Sequence, residues 1–359
     1  MGKVSFESSS AAASQAVIPL RTQAREALRE TLGGATRVGL VNFPNHGNPG
    51  DPALWLAAQQ LLRSLGVRIT YRSAWWDFDA LAARRALDDA PILLNGGGSL
   101  GDTYAGQQST RVRVLTEMRD NPIIQLPQSI DFRDPANAAT FGDLARAHPD
   151  FRLMVREHIS VERARTQLGI EPRLSPDHVL ALQLDAKLRS FRLGPPQYDV
   201  LWMTWGSHMP EHVDYWTPEV PGVRRLDWID GQAQDEANWD RRGRWALAAN
   251  RCIQQKWNPK SRWAGVTHRV AAITYDPLAT RWVRRGFDYL STAKVVVTNK
   301  LHGHIFSVLA GIPHVVLNNS NGKVSGTLDA WTSGLPGVHR ATEGEEAYKI
   351  ALQLLREMA

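Results

Sequence analysis

Short apolar runs rich in valine, isoleucine and leucine alternate along this chain with longer amphipathic stretches. Glycine, proline or asparagine stands at most of the changeovers. Arg37–Phe43 reads as a first buried strand. The glycine-punctuated loop Asn45-His46-Gly47-Asn48-Pro49-Gly50-Asp51 follows it. Asp51 as N-cap and Pro52 as first helical residue predict a helix to about Leu65, closed by Gly66. Val67–Tyr71, Pro91–Leu94, Pro122–Leu126 and Phe151–Val155 read as the next strands, and Ser175-Pro176-Asp177 ends a shorter one. Helices are expected near Thr110–Met118, over Pro135–Ala147 and up to Gly169.

The alternation is lost after Gly194-Pro195-Pro196, a linker pattern, and a strand expected over Tyr198–Trp205. It resumes with a predicted strand Arg269–Tyr275 and a helix from about Pro277 to Leu290. Val295–Val297 then reads as a buried strand, Leu301–Ala310 as a helix stopped by Gly311, and His314–Leu317 as another strand. A last helix covers about Gly344–Met358. Strands separated by helices predict parallel sheets covered by helices. The fold class is therefore α/β, with two Rossmann-like domains flanking a cleft. Residues 1–17 are expected as a flexible tail, 18–190 as the N-terminal domain and 191–359 as the C-terminal domain.

Composition narrows the class without fixing a function. The 359 residues are 43% hydrophobic and 22% charged, as in ordinary globular proteins. A formal charge of +6 suits an anionic substrate or a membrane surface. No aromatic-interleaved basic motif supports nucleic-acid binding. The single Cys252 excludes an intrachain disulfide and suits a reducing cytosol. No apolar run is long enough to span a bilayer, and no metal-ligand spacing occurs; His302 and His304, two apart, share no helix face.

The chemistry concentrates at strand ends. In Asn299-Lys300-Leu301-His302-Gly303-His304, a lysine and two histidines occupy a turn that opens a helix, where free N–H groups favour anions. Asn48, Asp51, Gly97 and Gly98 lie on loops at the same edge of the first sheet. Arg156 follows a strand there, and Asn319 and Lys323 follow the strand after Lys300. Competing readings are plain: an N-cap for Asp51, a core histidine for His304, a solvated turn for Lys323. The tryptophans of the middle segment fill cores more often than they stack on sugars.

In this order these residues resemble the polysaccharide pyruvyl transferases. Gly47-Asn48-Pro49-Gly50-Asp51 is similar to that family's GNxGD loop, and Gly96-Gly97-Gly98 to its second glycine loop. Arg156-Glu157 and Ser175-Pro176-Asp177 resemble its RE and PD elements. Lys300-Leu301-His302-Gly303-His304 is similar to its RLHGH core, and Asn319-Ser320-Asn321-Gly322-Lys323 to its N-S-x-G-K segment. The family usually has arginine where Lys300 stands, a change that keeps charge and loses the bidentate fork.

The resemblance implies a GT-B-like arrangement of the two domains and phosphoenolpyruvate as donor substrate, with no cofactor. It implies a pyruvate ketal formed on two hydroxyls of a sugar in a polysaccharide or lipid-linked glycan, as in exopolysaccharide biosynthesis. His302 and Lys300 are then the catalytic pair. Arg156, Lys323, His304, Asn48, Asp51, Gly97, Gly98 and Asn319 are the substrate-binding set. A cytoplasmic protein with peripheral contact at the inner face of the cell membrane is expected. The rival functions are a nucleotide-sugar glycosyltransferase and a non-catalytic glycan-binding protein on the same fold, since architecture does not decide function.

Overall fold

The computed structural model describes residues 15–185, 188, 195–207, 209–258, 261 and 263–358. Most of the expected tail, and Gly194 of the expected linker, lie outside these residues. Val17, the tail's last residue, is buried and leads into helix α1, Ile18–Leu32.

The first sheet is built from β1 (Arg37–Phe43), β2 (Arg68–Ala74), β3 (Ile92–Leu94), β4 (Gly97–Gly101), β5 (Ile123–Asp131), β6 (Phe151–Val155) and β7 (Arg173–Leu174). Every pairing is parallel, in the order β2-β1-β3-β5-β6-β7, with β4 continuing beyond β3 alongside β5. Helices α2 (Gly50–Ser64), α3 (Ala80–Leu87), α4 (Ala105–Glu117), α5 (Pro135–Arg146) and α6 (His158–Arg163) make the crossovers.

The second sheet contains β8 (Tyr198–Met203), β9 (Val223–Arg225), β10 (Ala293–Thr298), β11 (His314–Val316) and β12 (Val338–Arg340). It is also all-parallel, in the order β12-β11-β10-β8-β9. Its helices are α7 (Gln232–Ala237), α8 (Arg241–Lys256), α9 (Ala264–Leu290), α10 (Leu301–Ala310), α11 (Lys323–Thr327) and α12 (Gly344–Met358).

One apolar core joins the two sheets. Leu54 of α2, Leu180, Phe287 of α9, and Ile305 and Phe306 of α10 pack there with Leu201 and Met203 of β8. Phe287 stacks on Phe306 at 4.4 Å between ring centroids. Packing does not divide at the middle of the chain. Ala246 of α8 and Ala271, Tyr275 and Trp282 of α9 are buried with Leu40, Phe43 and Trp55 of the first half.

Four sequence expectations are corrected. The strand expected at Arg269–Tyr275 is the first half of α9, one helix with Pro277 inside it. Its β-branched residues resemble a strand, yet the buried positions His268, Ala271, Tyr275, Leu278 and Trp282 repeat with helical spacing. An interior proline costs a helix about 3 kcal/mol, which packing along that whole face offsets. The strand expected to stop at Leu126 runs on to Asp131, because a register shift between Gln125 and Gln128 accommodates Pro127. Gly97–Gly101 is a strand rather than a loop. Finally, Asp51 is not the N-cap: helix α2 begins at Gly50, and Asp51 sits in its first turn.

Candidate active site

Each sheet reverses its winding once. In the first sheet the chain goes one way from β1 to β2 and the other way to β3. In the second it leaves β8 for β9 on one side and for β10 on the other. The carboxyl ends of strands at such reversals leave a crevice, the usual ligand position in open α/β sheets. A cavity of about 250 Å³ is lined from both reversals. His46, Asn48 and Asp51 come from after β1, Gly98 and Ser99 from β4, and Arg156 from after β6. Trp205, Met209 and Glu211 follow β8, and Lys300 and His302 follow β10.

Three cations meet in this cavity, each held by a carboxylate. Arg156, 1% exposed, donates from Nη1 to Asp177 Oδ2 at 2.7 Å and from Nε to Ser129 Oγ at 2.9 Å. Lys300 Nζ lies 2.9 and 3.0 Å from the two oxygens of Asp227 and 3.4 Å from the centroid of the Trp205 ring. Lys323 Nζ reaches Glu211 Oε1 at 3.1 Å, and that oxygen also accepts from the Tyr104 hydroxyl at 3.0 Å.

Burial lowers the Lys300 ammonium to about 8, against the Asp227 carboxylate, which favours the charged form. Burial alone would raise the Asp177 carboxyl. The His302 ring and the Arg156 charge outweigh it and hold Asp177 well below the usual carboxylate range. Asp51 behaves alike: burial is overcome by His46, 3.2 Å away, and by the charges of His302 and Arg156.

His302 sits at the centre. Its Nε2 is buried, makes no hydrogen bond and lies 3.6 Å from Asp177 Oδ2. The ring rests against the backbone of Gly50, where an added Cβ would overlap it. Gly50 has no positive φ, so close approach rather than backbone freedom requires glycine there. Gly50→Ala is expected to displace the His302 ring and lower kcat at least ~10-fold, because small misplacements of catalytic groups are costly. Unchanged steady-state turnover would contradict it. Gly98 plays a similar part: a Cβ there would stand 3.1 Å from Arg156 Nη2 and 3.4 Å from Lys323 Nζ.

The structure brings together Arg156, Lys300, His302, Lys323, Asn48, Asp51 and Gly98. Gly97 lies just behind them at φ +139°, facing Asp51 Oδ1. Two expected site residues stand apart. His304 is fully buried between His314, at 2.7 Å from its Nδ1, and the Thr332 hydroxyl, at 2.8 Å from its Nε2. Burial holds it well below the usual histidine range, so it is a neutral core histidine, on the face of α10 turned from the cavity. Asn319 is also buried, and its side chain accepts from the backbone of Val324, bracing the turn before Lys323.

Sequence reasoning missed Asp227, Glu211, Tyr104, Trp205 and His46 as cavity residues, and Asp177 beneath them. Glu211 and Asp227 lie in the aperiodic segment after β8, where no pattern marks a side chain. Asp177 and His46 stood inside loops already singled out, and only tertiary contact selects them. Of the eight tryptophans from Trp202 to Trp263, Trp205 and Trp228 line the cavity. Among the described residues no group of three or more His, Cys, Asp or Glu is placed to hold a metal ion. No helix among them is long and apolar enough to cross a membrane.

The chain resembles known proteins along most of its length. It is 27% identical to Pyruvyl transferase 1 of Schizosaccharomyces pombe, over 90% of this chain and 76% of that one. It is 26% identical to the Bacillus subtilis protein named "Putative pyruvyl transferase EpsO", over 82% of this chain and 85% of that one. In fold it is similar to the crystal structure of an uncharacterized Klebsiella pneumoniae protein. That likeness has a TM-score of 0.56 at 16% identity and covers 90% of this chain and 98% of that one. The family model for polysaccharide pyruvyl transferases matches residues 48–249 and 283–321, which include Asn48, Asp51, Arg156, Lys300 and His302. The chain therefore belongs to the polysaccharide pyruvyl transferase family and is a transferase.

Proposed function

We propose that the cavity binds phosphoenolpyruvate and transfers its carboxyethylidene group to two hydroxyls of one sugar in a polysaccharide or lipid-linked glycan, releasing phosphate. The observation that carries this reading is the meeting of Arg156, Lys300 and Lys323 around His302. Phosphoenolpyruvate concentrates roughly three negative charges in a small volume and calls for several cations in one place. Each cation keeps donors beyond those given to its own carboxylate. Those carboxylates fix the cations in position, and the donor's phosphate and carboxylate take the remaining N–H groups.

His302 is the acid. It delivers a proton to the methylene carbon while one sugar hydroxyl adds to the neighbouring carbon, so the methylene becomes a methyl. Phosphate then leaves with its bonding electrons and carries off the first hydroxyl's proton. The second hydroxyl closes on the oxocarbenium carbon, and its proton returns to the neutral His302 ring. Asp177, beside His302 Nε2, steadies the imidazolium form. Cations come from both sheets, so the donor sits at the seam between two Rossmann-like halves in a GT-B-like arrangement. Tyr104, Met209 and the exposed Ile229, which also line the cavity, face the acceptor. No cofactor enters these steps, and a cytoplasmic enzyme meeting glycan at the membrane fits them.

The test is incubation with phosphoenolpyruvate and a glycan acceptor, reading phosphate release and the acceptor's mass. A thermal-shift series separates the donors: phosphoenolpyruvate is expected to raise the melting temperature, and UDP- and GDP-sugars are not. The reverse ranking would favour a glycosyltransferase.

Lys300 gives this reading a pH signature. Its cation is lost as pH rises through about 8, so kcat/KM for phosphoenolpyruvate is expected to fall above that pH. Arginine stays charged there, so Lys300→Arg is expected to retain activity and to lose that alkaline fall. A matching decline in both proteins would show that Lys300 does not carry it.

A further inference from the structure

The hairpin of α8 and α9 carries a surface that the reaction does not use. From Arg241 to Tyr275 the chain has eight lysines and arginines and not one aspartate or glutamate. That segment outweighs the net charge of the whole protein, since the rest holds 34 basic and 36 acidic residues. Arg241, Arg242, Arg244, Lys256 and Arg269 are exposed, with no carboxylate within ion-pair distance among the described residues. Large apolar side chains are exposed among them: Trp245 at 51%, Trp263 at 57%, Val266 at 44% and Ile273 at 63%. Trp263, Val266, Val270 and Ile273 are spaced three, four and three apart and form one stripe along α9. The opposite face of α9, through His268, Ala271 and Tyr275, is already buried.

We propose that this hairpin is a docking surface for an anionic lipid bilayer. Exposed indoles and branched aliphatics beside arginines and lysines match the two layers of such a surface, acyl boundary and charged headgroups. A second copy of the chain fits less well, because two faces of this charge repel each other. A nucleic acid gives exposed isoleucine and valine nothing to contact. The hairpin also adjoins the cavity: Asn45 Nδ2 donates to Gln254 Oε1 of α8 at 2.8 Å, and the next residue, His46, lines the cavity. Docking through α8 and α9 therefore brings one wall of the cavity toward the bilayer. The benefit to a lipid-borne acceptor rests on the function proposed above; the docking itself does not.

The test is flotation of the full-length protein with vesicles, without donor or acceptor. One set is phosphatidylcholine alone and the other contains about three parts in ten of phosphatidylglycerol. Binding is expected only to the anionic set and should fall at least ~10-fold between about 0.1 and 0.5 M salt. The combined Arg241→Glu, Lys256→Glu and Arg269→Glu changes should weaken it at least ~10-fold, and so should Trp263→Ser with Ile273→Ser. Turnover of a water-soluble acceptor should stay unchanged in both variants. Equal binding to both vesicle sets overturns the proposal, as does no binding at low salt or tighter binding to duplex DNA. Conversion of a dimer to a monomer by Trp263→Ser with Ile273→Ser, seen by light scattering, also overturns it. None of the overturning outcomes touches the pyruvyl-transfer reading, because flotation and light scattering are done without phosphoenolpyruvate.

Discussion

His302→Ala is expected to lower kcat for phosphoenolpyruvate-dependent phosphate release by about 100- to 10,000-fold, the range typical of losing a positioned acid. The melting temperature should stay within a few degrees of wild type. The size of the effect follows from the site's geometry. The ring lines the cavity with Arg156, Lys300 and Lys323, lies against Asp177, and its Nε2 makes no hydrogen bond. The small effect on stability follows from the same facts, since alanine there breaks no hydrogen bond of that nitrogen. His302→Gln sharpens the test, because it keeps polarity and approximate shape but cannot carry the proton. If either variant releases phosphate at a near-wild-type rate with acceptor present, His302 is not the acid.

Arg156→Met is expected to cost about 3–5 kcal/mol of stability and to abolish donor binding. The guanidinium is 1% exposed, and Asp177 is fully buried. Truncating one partner of such a pair leaves the other charge buried and uncompensated. Glu157 worsens the loss. Burial already pushes its carboxyl up, and Arg156, 3.6 Å from it, opposes that rise. Urea denaturation reads the stability, and calorimetric titration with phosphoenolpyruvate reads the binding. Adding Asp177→Leu should restore part of the stability, with a coupling of about 0.5–3 kcal/mol for contacting residues. It should restore no donor binding. A loss under about 1 kcal/mol in Arg156→Met would mean that solvent or rearrangement replaces the ion pair.

Much of the framework was legible in the sequence because it rests on local rules. Pro135 opens a helix at the expected residue, Gly311 stops one, and the last helix spans Gly344–Met358 as read. The apolar runs at Arg37–Phe43 and Phe151–Val155 are strands because six or three of their residues pack between helical layers. Where two rules compete, the sequence misleads. Arg269–Tyr275 has strand composition and helical periodicity, and burial against the first sheet selects the helix. Pro127 looks like a strand terminator until a bulge removes the need for its missing N–H.

Candidate chemistry divides in the same way. Lys300, His302, Arg156, Asp51 and Lys323 could be named from their places at strand ends, because parallel strands in one sheet put all their carboxyl ends on one edge. Residue type and position alone determined that much, together with the α/β class and the family resemblance. Tertiary structure decided which of two neighbouring histidines faces the cavity: one turn of α10 seals His304 against His314 and leaves His302 open. It decided that each cation has its own carboxylate, since Asp177, Asp227 and Glu211 lie 21, 73 and 112 residues from their partners. Pairing at such separations depends on how two sheets meet through a shared core, and no local period in the chain encodes that meeting.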